Sequence, residues 1–372
     1  MTERNTGTDL TEETRSWGAL SQKQLIWRQF RKHRMAVAGG SIACFLYMCA
    51  LLGEFIAPYD PAHRFYEYVY APPQEIRLID EEGLHLRPFM FGLEGHLNRK
   101  TGLREYQQVK REKHLLRLFA RGDSYSFFGL FETNVHLFGS DSNAPLFLFG
   151  TDRFGRDMLS RVILGGRVTL TVGILAVAVS ITLGSVFGVI SGYYGGMVDH
   201  GIQRVIEVIL SFPSIPILMA LSAVIPPQWP SHFVFMGIVT VLSLVGWGRL
   251  AREVRGKTMS LREEDYVLAA KVAGAKDRRI LFGHLLPGMM SHIIVIATLS
   301  VPGFILGESA LSFLGLGIKP PMTSWGLLLA DAMGVHSLQL YPWLLIPGIY
   351  IVIAVLSLNF MGDGLRDAAA PR

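Results

Sequence analysis

Long apolar blocks constrain the fold of this chain more than any other feature of its sequence. Most hold about twenty residues, and a helix of that length crosses a hydrocarbon layer of about 30 Å. Because a backbone inside lipid must satisfy its own hydrogen bonds, each block is expected to be helical. The fourth block is the shortest and is expected to extend toward Arg252. The six predicted spans are 35–57, 168–191, 202–224, 233–248, 289–311 and 342–361.

These blocks predict an all-α polytopic membrane protein with six transmembrane helices. The chain is 50% hydrophobic and only 17% charged. Residues 1–34 form a tail that ends in the basic stretch "WRQFRKHRM", and residues 363–372 form a second tail. An even number of spans places both tails on one side, and the basic flank predicts that this side is the cytoplasm. A cleaved signal peptide is disfavoured because the first apolar run exceeds about 7–15 residues.

A mostly polar segment, 58–166, separates the first block from a five-helix core predicted at 167–362. Its 14 Lys or Arg residues do not exclude the outer side, because long loops translocate largely regardless of charge. The stretch "EIRLIDEEGLHLRPFMF" alternates apolar and polar residues around Glu82 and Gly83, which indicates a hairpin. The segment is therefore predicted to be a small β-rich extracytoplasmic insertion between the first and second helices.

Charge and motif content exclude several classes of function. The net charge is +5, but the basic residues flank apolar blocks, so they indicate membrane orientation and not nucleic-acid binding. The chain contains no G-x-x-x-x-G-K-[ST] loop, and it is not expected to bind ATP itself. It also lacks metal-ligand spacing and a Ser/His/Asp constellation. We therefore predict no metal site, no bound cofactor and no enzyme active site.

The connection 249–287 is predicted to be structured and cytoplasmic. It carries nine Lys or Arg residues, whereas the neighbouring connection "IPPQWPS" carries none. Ser260 and Glu263 have the spacing of a capping box, and Gly274 suits the left-handed end of the helix that would follow. Asp277 is expected to cap a second helix, "RRILFGHLL". The result would be a helix–turn–helix outside the bilayer.

The first of these helices is expected to dock onto another protein. Ala269 and Ala270 would leave a smooth surface that permits close approach, while Tyr266, Val267 and Leu268 would offer apolar contact. A connection that only joined two spans could be far shorter than this one.

Proline and glutamate residues inside the spans mark candidate positions on a translocation path. Pro213 and Pro216 interrupt the third span, which is tolerated where a neighbouring helix or a water-filled cavity satisfies the freed backbone groups. Glu308 lies in the fifth span. An intramembrane carboxylate is a candidate functional residue, but a hydrogen bond that packs two helices together explains it equally well, and both interpretations stay open.

The stretch "YVLAAKVAGAKDRRILFGHLLP" resembles the cytoplasmic signature of the inner-membrane subunits of ABC importers. That signature reads Glu-Ala-Ala, three residues, Gly, nine residues, then a hydrophobic tetrad ending in Leu-Pro. Ala269, Ala270, Gly274 and Pro287 stand at those spacings. Leu268 replaces the initial Glu, and His284 opens the tetrad.

Other stretches resemble one branch of that family, the second permease subunit of dipeptide and oligopeptide importers. The resemblance covers residues 28–57 and 148–372, whereas 63–147 departs from the usual pattern, in which the outer loop is shorter. The matching stretches are "APYDP", "FGTDRFGRDMLSRVILGGR", "SGYYGGMVD", "SFPSIPIL", "AREVRGKTMSL", "LSFLGLGIKPPMTSWG" and "NFMGDGLRDAAAPR".

The resemblance implies a permease subunit of an ATP-driven peptide importer in a bacterial cytoplasmic (inner) membrane. Its implied partners are a homologous permease, two ATPase subunits that bind ATP and Mg²⁺, and an extracytoplasmic substrate-binding protein. The residues implied to couple the spans to the ATPases are Asp265, Tyr266, Leu268, Ala269, Ala270, Gly274, Ala275, His284 and Pro287.

Three alternatives stay open at this point. The same machinery imports nickel or oligosaccharides in some relatives of this family. An ATP-independent secondary carrier would show an internal repeat with broken helices at matching positions, and the sequence shows none. A membrane-embedded enzyme would need paired catalytic groups, which the sequence does not supply.

Overall fold

The computed structural model describes residues 22–80, 83–127, 129–140, 144–226 and 228–369. A π-helix covers Ile280–Leu285 and a 3-10 helix covers Pro342–Leu345. In chain order the α-helices are α1 (Gln22–Lys32), α2 (Arg34–Leu51), α3 (Gly53–Ile56), α4 (Met158–Tyr194), α5 (Gly196–Ser211), α6 (Ser214–Ser222), α7 (Ser231–Leu261), α8 (Asp265–Val272), α9 (Asp277–Arg279), α10 (Leu286–Gly288), α11 (Met290–Phe313), α12 (Trp325–Ala330), α13 (Val335–Leu340) and α14 (Ile346–Ala369).

Among the described residues, five helices are long and apolar enough to cross a membrane. They are α2, α4, α7, α11 and α14, the last together with the 3-10 helix that precedes it. The pair α5 and α6 is apolar enough to count as a sixth span, but its two halves are bent by 91°. The predicted helical polytopic fold is confirmed, while the count of six rests on reading this bent pair as one span.

Helix α4 forms the centre of the bundle. Its 37 residues make a rod of about 55 Å, longer than a hydrocarbon core, and it begins well before the predicted start at residue 168. Gly184, Gly188 and Gly192 lie one turn apart along the face that meets α7. A Cβ at any of the three would lie within 2.8 Å of α7 atoms. Small residues at this spacing let two membrane helices approach closely.

The first and last spans also pack through small residues. A Cβ at Gly39 would lie 2.5 Å from the Ser357 carbonyl oxygen, and a Cβ at Gly364 would lie 2.1 Å from the Ala36 Cβ. Ala36 is completely buried at this contact. Helix α2 is therefore held against α14 although the two helices are at opposite ends of the chain.

The segment between α2 and α4 contains the predicted β-rich insertion. Its four strands form an antiparallel sheet in the order β1-β2-β3-β4. Asp80 pairs with Gly83 in the first hairpin, as the alternating pattern predicts, although Glu82 itself lies outside the described residues. The strands are β1 (Arg77–Asp80), β2 (Gly83–Leu97), β3 (Arg104–Phe127) and β4 (Phe131–Ser140).

A buried histidine connects this sheet to the end of the first span. His136 of β4 lies with Nδ1 2.5 Å from the Ala57 carbonyl oxygen and Nε2 2.9 Å from the Asp123 carbonyl oxygen. The Asp123 carboxylate in turn accepts a hydrogen bond of 3.0 Å from the Asp60 N–H. The sheet is thus held against the chain that leaves α3.

Charged side chains are buried where α4 begins. Arg161 forms ion pairs with Asp152 and, at 3.6 Å, with Asp331. Asp157 caps the helix by accepting hydrogen bonds of 2.7 Å from the backbone N–H and the hydroxyl of Ser160. Burial raises the pKa of Asp157 to about 6, against the opposing effect of those hydrogen bonds. Buried charges need such partners, and together they fix the start of α4 against the segment that follows α12.

Replacing Gly39 by Ala is expected to lower the thermal unfolding temperature of the detergent-solubilised chain. The added methyl group would lie 2.5 Å from the Ser357 oxygen, and such overpacking costs about 1–3 kcal/mol. Gly303→Ala is the matched control, since a Cβ there meets nothing within 4 Å. Tryptophan fluorescence during a temperature ramp measures both. Equal unfolding temperatures for the two variants would contradict close packing of α2 on α14.

Candidate functional site

The connection between α7 and α11 folds into one compact unit, called the elbow below (residues 262–288). Helix α7 has 31 residues, about 46 Å, so it continues beyond a hydrocarbon core before the elbow begins. A buried apolar cluster holds the elbow together. It joins Val267 of α8 and Ile280 and Leu285 of the π-helix to Val254 of α7 and Val189 of α4.

Gly274 ends α8 in the way that its sequence position predicts. Its φ is +77°, a backbone conformation that favours glycine. The Ala275 N–H bonds to the Ala270 carbonyl and the Gly274 N–H to the Lys271 carbonyl, both at 3.0 Å. This is a Schellman motif, which satisfies carbonyl groups left over at the helix end. The methyl groups of Ala270 and Ala275 both pack on the elbow's apolar cluster.

The predicted helix starts in this region are wrong. Helix α7 runs on to Leu261, so Ser260 lies inside it and does not cap α8 with Glu263. Glu264 occupies the N-cap position of α8 without a side-chain hydrogen bond. Asp277 does not cap the second helix either, because it lies in the first turn of α9. Local spacing indicated a cap at Ser260, but the spanning helix α7 continues past that residue.

The second predicted helix is a π-helix over most of its length. The N–H of Leu286 reaches back to the Leu281 carbonyl, which is the wider hydrogen-bond pattern of a π-helix. Pro287 follows directly, and proline has no N–H to continue an α-helical ladder. His284 is half-buried in the π-helix, while Pro287 is exposed in α10.

Helix α8 presents an exposed apolar ridge. Tyr266 and Leu268 are each nearly half exposed, and Val272 is 90% exposed. Ala269 faces solvent beside them, whereas Ala270 is half-buried. The two alanines therefore do not form one outer surface as predicted. The ridge below means Leu268, Ala269 and Val272.

Two assignments on this helix need correction. Val267 is completely buried, so the predicted role in outer contact is wrong for that residue. Val272 was not among the predicted contact residues, although its spacing of four from Leu268 places both on one helix face. That spacing is the signal by which the sequence could have indicated it.

The other predicted coupling residues surround the ridge. Asp265 is exposed in the first turn of α8. The Tyr266 hydroxyl lies close to Gly288 at the far end of the elbow. Burial, followed by the Glu264 carboxylate, raises the pKa of Tyr266, so its hydroxyl stays neutral and able to donate. The contact between Tyr266 and Gly288 brings the two ends of the elbow together. Contact of these residues with an ATPase stays a prediction.

The break in the third predicted span lies at Pro213. This residue occupies the N-cap position of α6, directly after Phe212, the C-cap residue of α5. Pro216 lies in the first turn of α6, where its missing N–H costs no helical hydrogen bond. All residues from 211 to 216 are exposed. The break therefore faces outward from this chain, and its place on a translocation path stays a prediction.

Glu308 is completely buried and hydrogen-bonded. Its Oε2 accepts a hydrogen bond from the Thr169 hydroxyl at 3.0 Å, and its Oε1 accepts one from the Ser312 hydroxyl at 2.7 Å. The Trp325 N–H donates to the Thr169 oxygen and the Ile318 N–H to the Ser312 oxygen. These relays join α4 and α11 to the segment 314–325. This geometry supports the interpretation that Glu308 packs helices together. A role of Glu308 on the translocation path stays a prediction.

A basic groove lies beside the elbow and was not predicted as a site. Its volume is about 710 Å³, and Leu210, Arg252 and His292 bring α5, α7 and α11 together around it. Arg249 and Lys257 add further positive charge. Their spacing on α7 could have indicated a common face. Within the described part of the chain, no three His, Cys, Asp or Glu side chains group as metal ligands would.

A bundle of apolar helices with a structured, exposed elbow at one end defines a helical, polytopic membrane protein. Comparisons with known proteins support this class. The family described as "Binding-protein-dependent transport system inner membrane component" matches residues 184–372. The family described as "N-terminal TM domain of oligopeptide transport permease C" matches residues 21–73.

Named relatives extend the match over the whole chain. The dipeptide transport system permease protein DppC of Lactococcus lactis is 31% identical over 98% of this chain and 95% of its own length. The oligopeptide transport system permease protein OppC of Haemophilus influenzae is 43% identical over 60% of this chain and 70% of its own length. The dipeptide transport system permease protein DppC of Alkalihalophilus pseudofirmus is 44% identical over 60% of this chain and 71% of its own length.

The chain belongs to the family of binding-protein-dependent transport system inner membrane components, in the branch of dipeptide and oligopeptide ABC permeases. It is thus a transport subunit and not an enzyme. The match to the Lactococcus protein spans nearly the entire chain.

Glu308→Gln is expected to leave stability and uptake close to those of the wild type. The glutamine side chain fills the same volume, and its amide oxygen still accepts a hydrogen bond from one hydroxyl. Glu308→Ala is expected to destabilise the chain by about 1–3 kcal/mol for each hydroxyl left without a partner. Thermal unfolding in detergent and peptide uptake in cells measure the two effects. Loss of uptake in the Gln variant at unchanged stability would instead assign Glu308 to the path.

Proposed function

We propose that this chain is the second permease subunit of an ATP-driven importer of dipeptides or oligopeptides, and that the elbow receives force from a separate ATPase. The observation that carries the proposal is the exposed ridge of α8. Leu268, Ala269 and Val272 are all exposed and lie on neighbouring positions of α8, and a contiguous apolar patch of this kind marks a protein contact more than an isolated apolar residue does.

The elbow is built to transmit force. Its apolar cluster includes residues of α4, α7 and the start of α11, so a displacement of α8 reaches three spans through packed side chains. Packed interiors resist compression and therefore transmit strain. In this proposal ATP and Mg²⁺ are bound by two partner ATPase subunits, and this chain holds neither, because its sequence has no phosphate-binding loop.

The proposed orientation places both termini, the elbow and the basic groove in the cytoplasm. The nine Lys or Arg residues of 249–287 support this side by the positive-inside rule. The β-sheet then lies outside the bacterial inner membrane, where an extracytoplasmic binding protein would deliver cargo. Six spans follow if α5 and α6 cross the bilayer as one bent unit.

The proposed path lies between this chain and a homologous, distinct permease. The exposed break at Pro213 and Pro216 supports a wall at this position, because unwound backbone at membrane depth is tolerated beside protein or a water-filled cavity. Glu308 remains a proposed residue of the path, and the Glu308→Gln variant tests that role.

Peptide cargo is proposed from the names of the relatives, which are dipeptide and oligopeptide transport permeases. Importers of nickel or oligosaccharides use the same machinery. Because an extracytoplasmic binding protein selects the cargo, the ligand of the binding protein that works with this permease decides between them. A binding protein that holds nickel or a sugar, and no peptide, would overturn the peptide assignment.

Val272→Glu is expected to abolish peptide uptake while the chain still inserts and folds, since a charge would have to be desolvated in the ATPase contact. Affinity purification of the tagged permease in mild detergent, with quantification of the ATPase subunits recovered, measures the contact. Leu86→Glu is the matched control, because Leu86 is a fully exposed apolar residue of β2.

Normal uptake and normal ATPase recovery by the Val272→Glu variant would overturn the assignment of the ridge. ATP-independent transport by the purified chain alone would overturn the proposed function as a whole, and would favour a secondary carrier.

A further inference from the structure

Two tyrosines at the inner end of α4 contact the elbow directly. The Tyr193 hydroxyl donates to one Asp277 carboxylate oxygen at 2.8 Å, and the Tyr194 hydroxyl is 3.2 Å from the other. The Lys271 ammonium lies 4.9 Å from the centroid of the Tyr193 ring. Two elements of the elbow, α8 and α9, thus meet the same pair of rings.

The end of α4 is well defined at this contact. Gly195 has a φ of +65° and terminates the helix directly after the tyrosines. The two rings pack edge to face with centroids 5.2 Å apart. Arg262, at the start of the elbow, donates a hydrogen bond of 3.1 Å to the Gly192 carbonyl. Three side chains of the elbow therefore end on three consecutive residues of α4.

No covalent connection provides this link. The elbow joins α7 to α11 in the chain, whereas α4 is followed by α5, so movement of the elbow reaches α4 through non-covalent contacts. Hydrogen bonds to a charged carboxylate are stronger than those between neutral groups, although exposure at this position reduces their strength. The Tyr193 ring adds apolar contact with the elbow cluster.

Helix α4 also extends to the opposite side of the bundle. It is one continuous helix of 37 residues without proline, so no proline kink interrupts it. Its first turn carries Arg161, which pairs with Asp152 and Asp331. A displacement applied at Tyr193 is therefore carried about 55 Å to the buried ion pairs of Arg161.

We propose that Tyr193, Tyr194 and Asp277 form a joint that makes α4 follow the elbow, so that the state of the ATPases is communicated to the outer side of the permease. This inference rests on the proposed function of the elbow. The three are positioning residues, which act through α4 and do not contact cargo or nucleotide.

The experiment uses the complete importer, with both permeases, the ATPases and the binding protein, in proteoliposomes. In the Tyr193→Phe/Tyr194→Phe variant the ATPases are expected to remain bound and to hydrolyse ATP. The amount of peptide imported per ATP is expected to fall by about fivefold or more, the lower end of a typical coupling free energy between two sites. Stimulation of hydrolysis by the loaded binding protein is expected to fall in parallel.

Two further variants separate the joint from general stability. Asp277→Leu should reproduce the double tyrosine variant, whereas Asp277→Asn keeps one oxygen as an acceptor and should restore part of the coupling. Tyr125→Phe is the matched control, since it removes a single tyrosine hydrogen bond of 2.7 Å, to the Val135 carbonyl, within the sheet.

An unchanged ratio of peptide to ATP in the double variant would overturn the joint while leaving the proposed function intact. Loss of the ATPases from the double variant would overturn it too, because the tyrosines would then maintain the docking surface and not transmit movement. Failure of the ridge variant Val272→Glu to affect ATPase recovery is the separate result that contradicts the proposed function.

Discussion

The close packing of α4 on α7 is the contact on which the rest of this structure depends. Lipid removes most of the hydrophobic driving force between helices, so association relies on van der Waals contact and on small residues that let backbones approach. Gly184, Gly188 and Gly192 provide that approach along the C-terminal half of α4. The same half carries Val189, which enters the apolar cluster of the elbow. The bundle and the elbow therefore share one packed interior.

This shared interior gives a physical account of how a subunit without an ATPase of its own can perform work. The ridge of α8 is exposed, but the helix beneath it is fixed by Val267, by the Schellman motif at Gly274 and by contacts with the end of α4. A force applied to the ridge therefore passes to the spans through packed side chains. At the opposite end, the Glu308 relays and the buried ion pairs of Arg161 hold the outer segments to the same α4.

Much of this arrangement could be predicted from single positions. Gly274 indicated a helix end because few other residues adopt its backbone conformation easily, and the alternation around Gly83 indicated a hairpin. The capping box at Ser260 failed because a capping residue must precede a helix, and α7 was already helical there. The prediction placed Val267 in the outer contact and omitted Val272, because both residues are apolar. Only the packed elbow shows that Val267 lies on the buried face of α8 and Val272 on the exposed face.

The sequence by itself determined the class of protein, the approximate spans and the break at Pro213, because lipid imposes length and apolarity on every spanning helix. The tertiary structure alone decided what holds Glu308 and that Tyr193 and Tyr194 meet Asp277. These contacts join residues that are far apart in the chain, up to 139 positions for Thr169 and Glu308. No local pattern encodes such pairings, since they depend on how complete helices lie against one another.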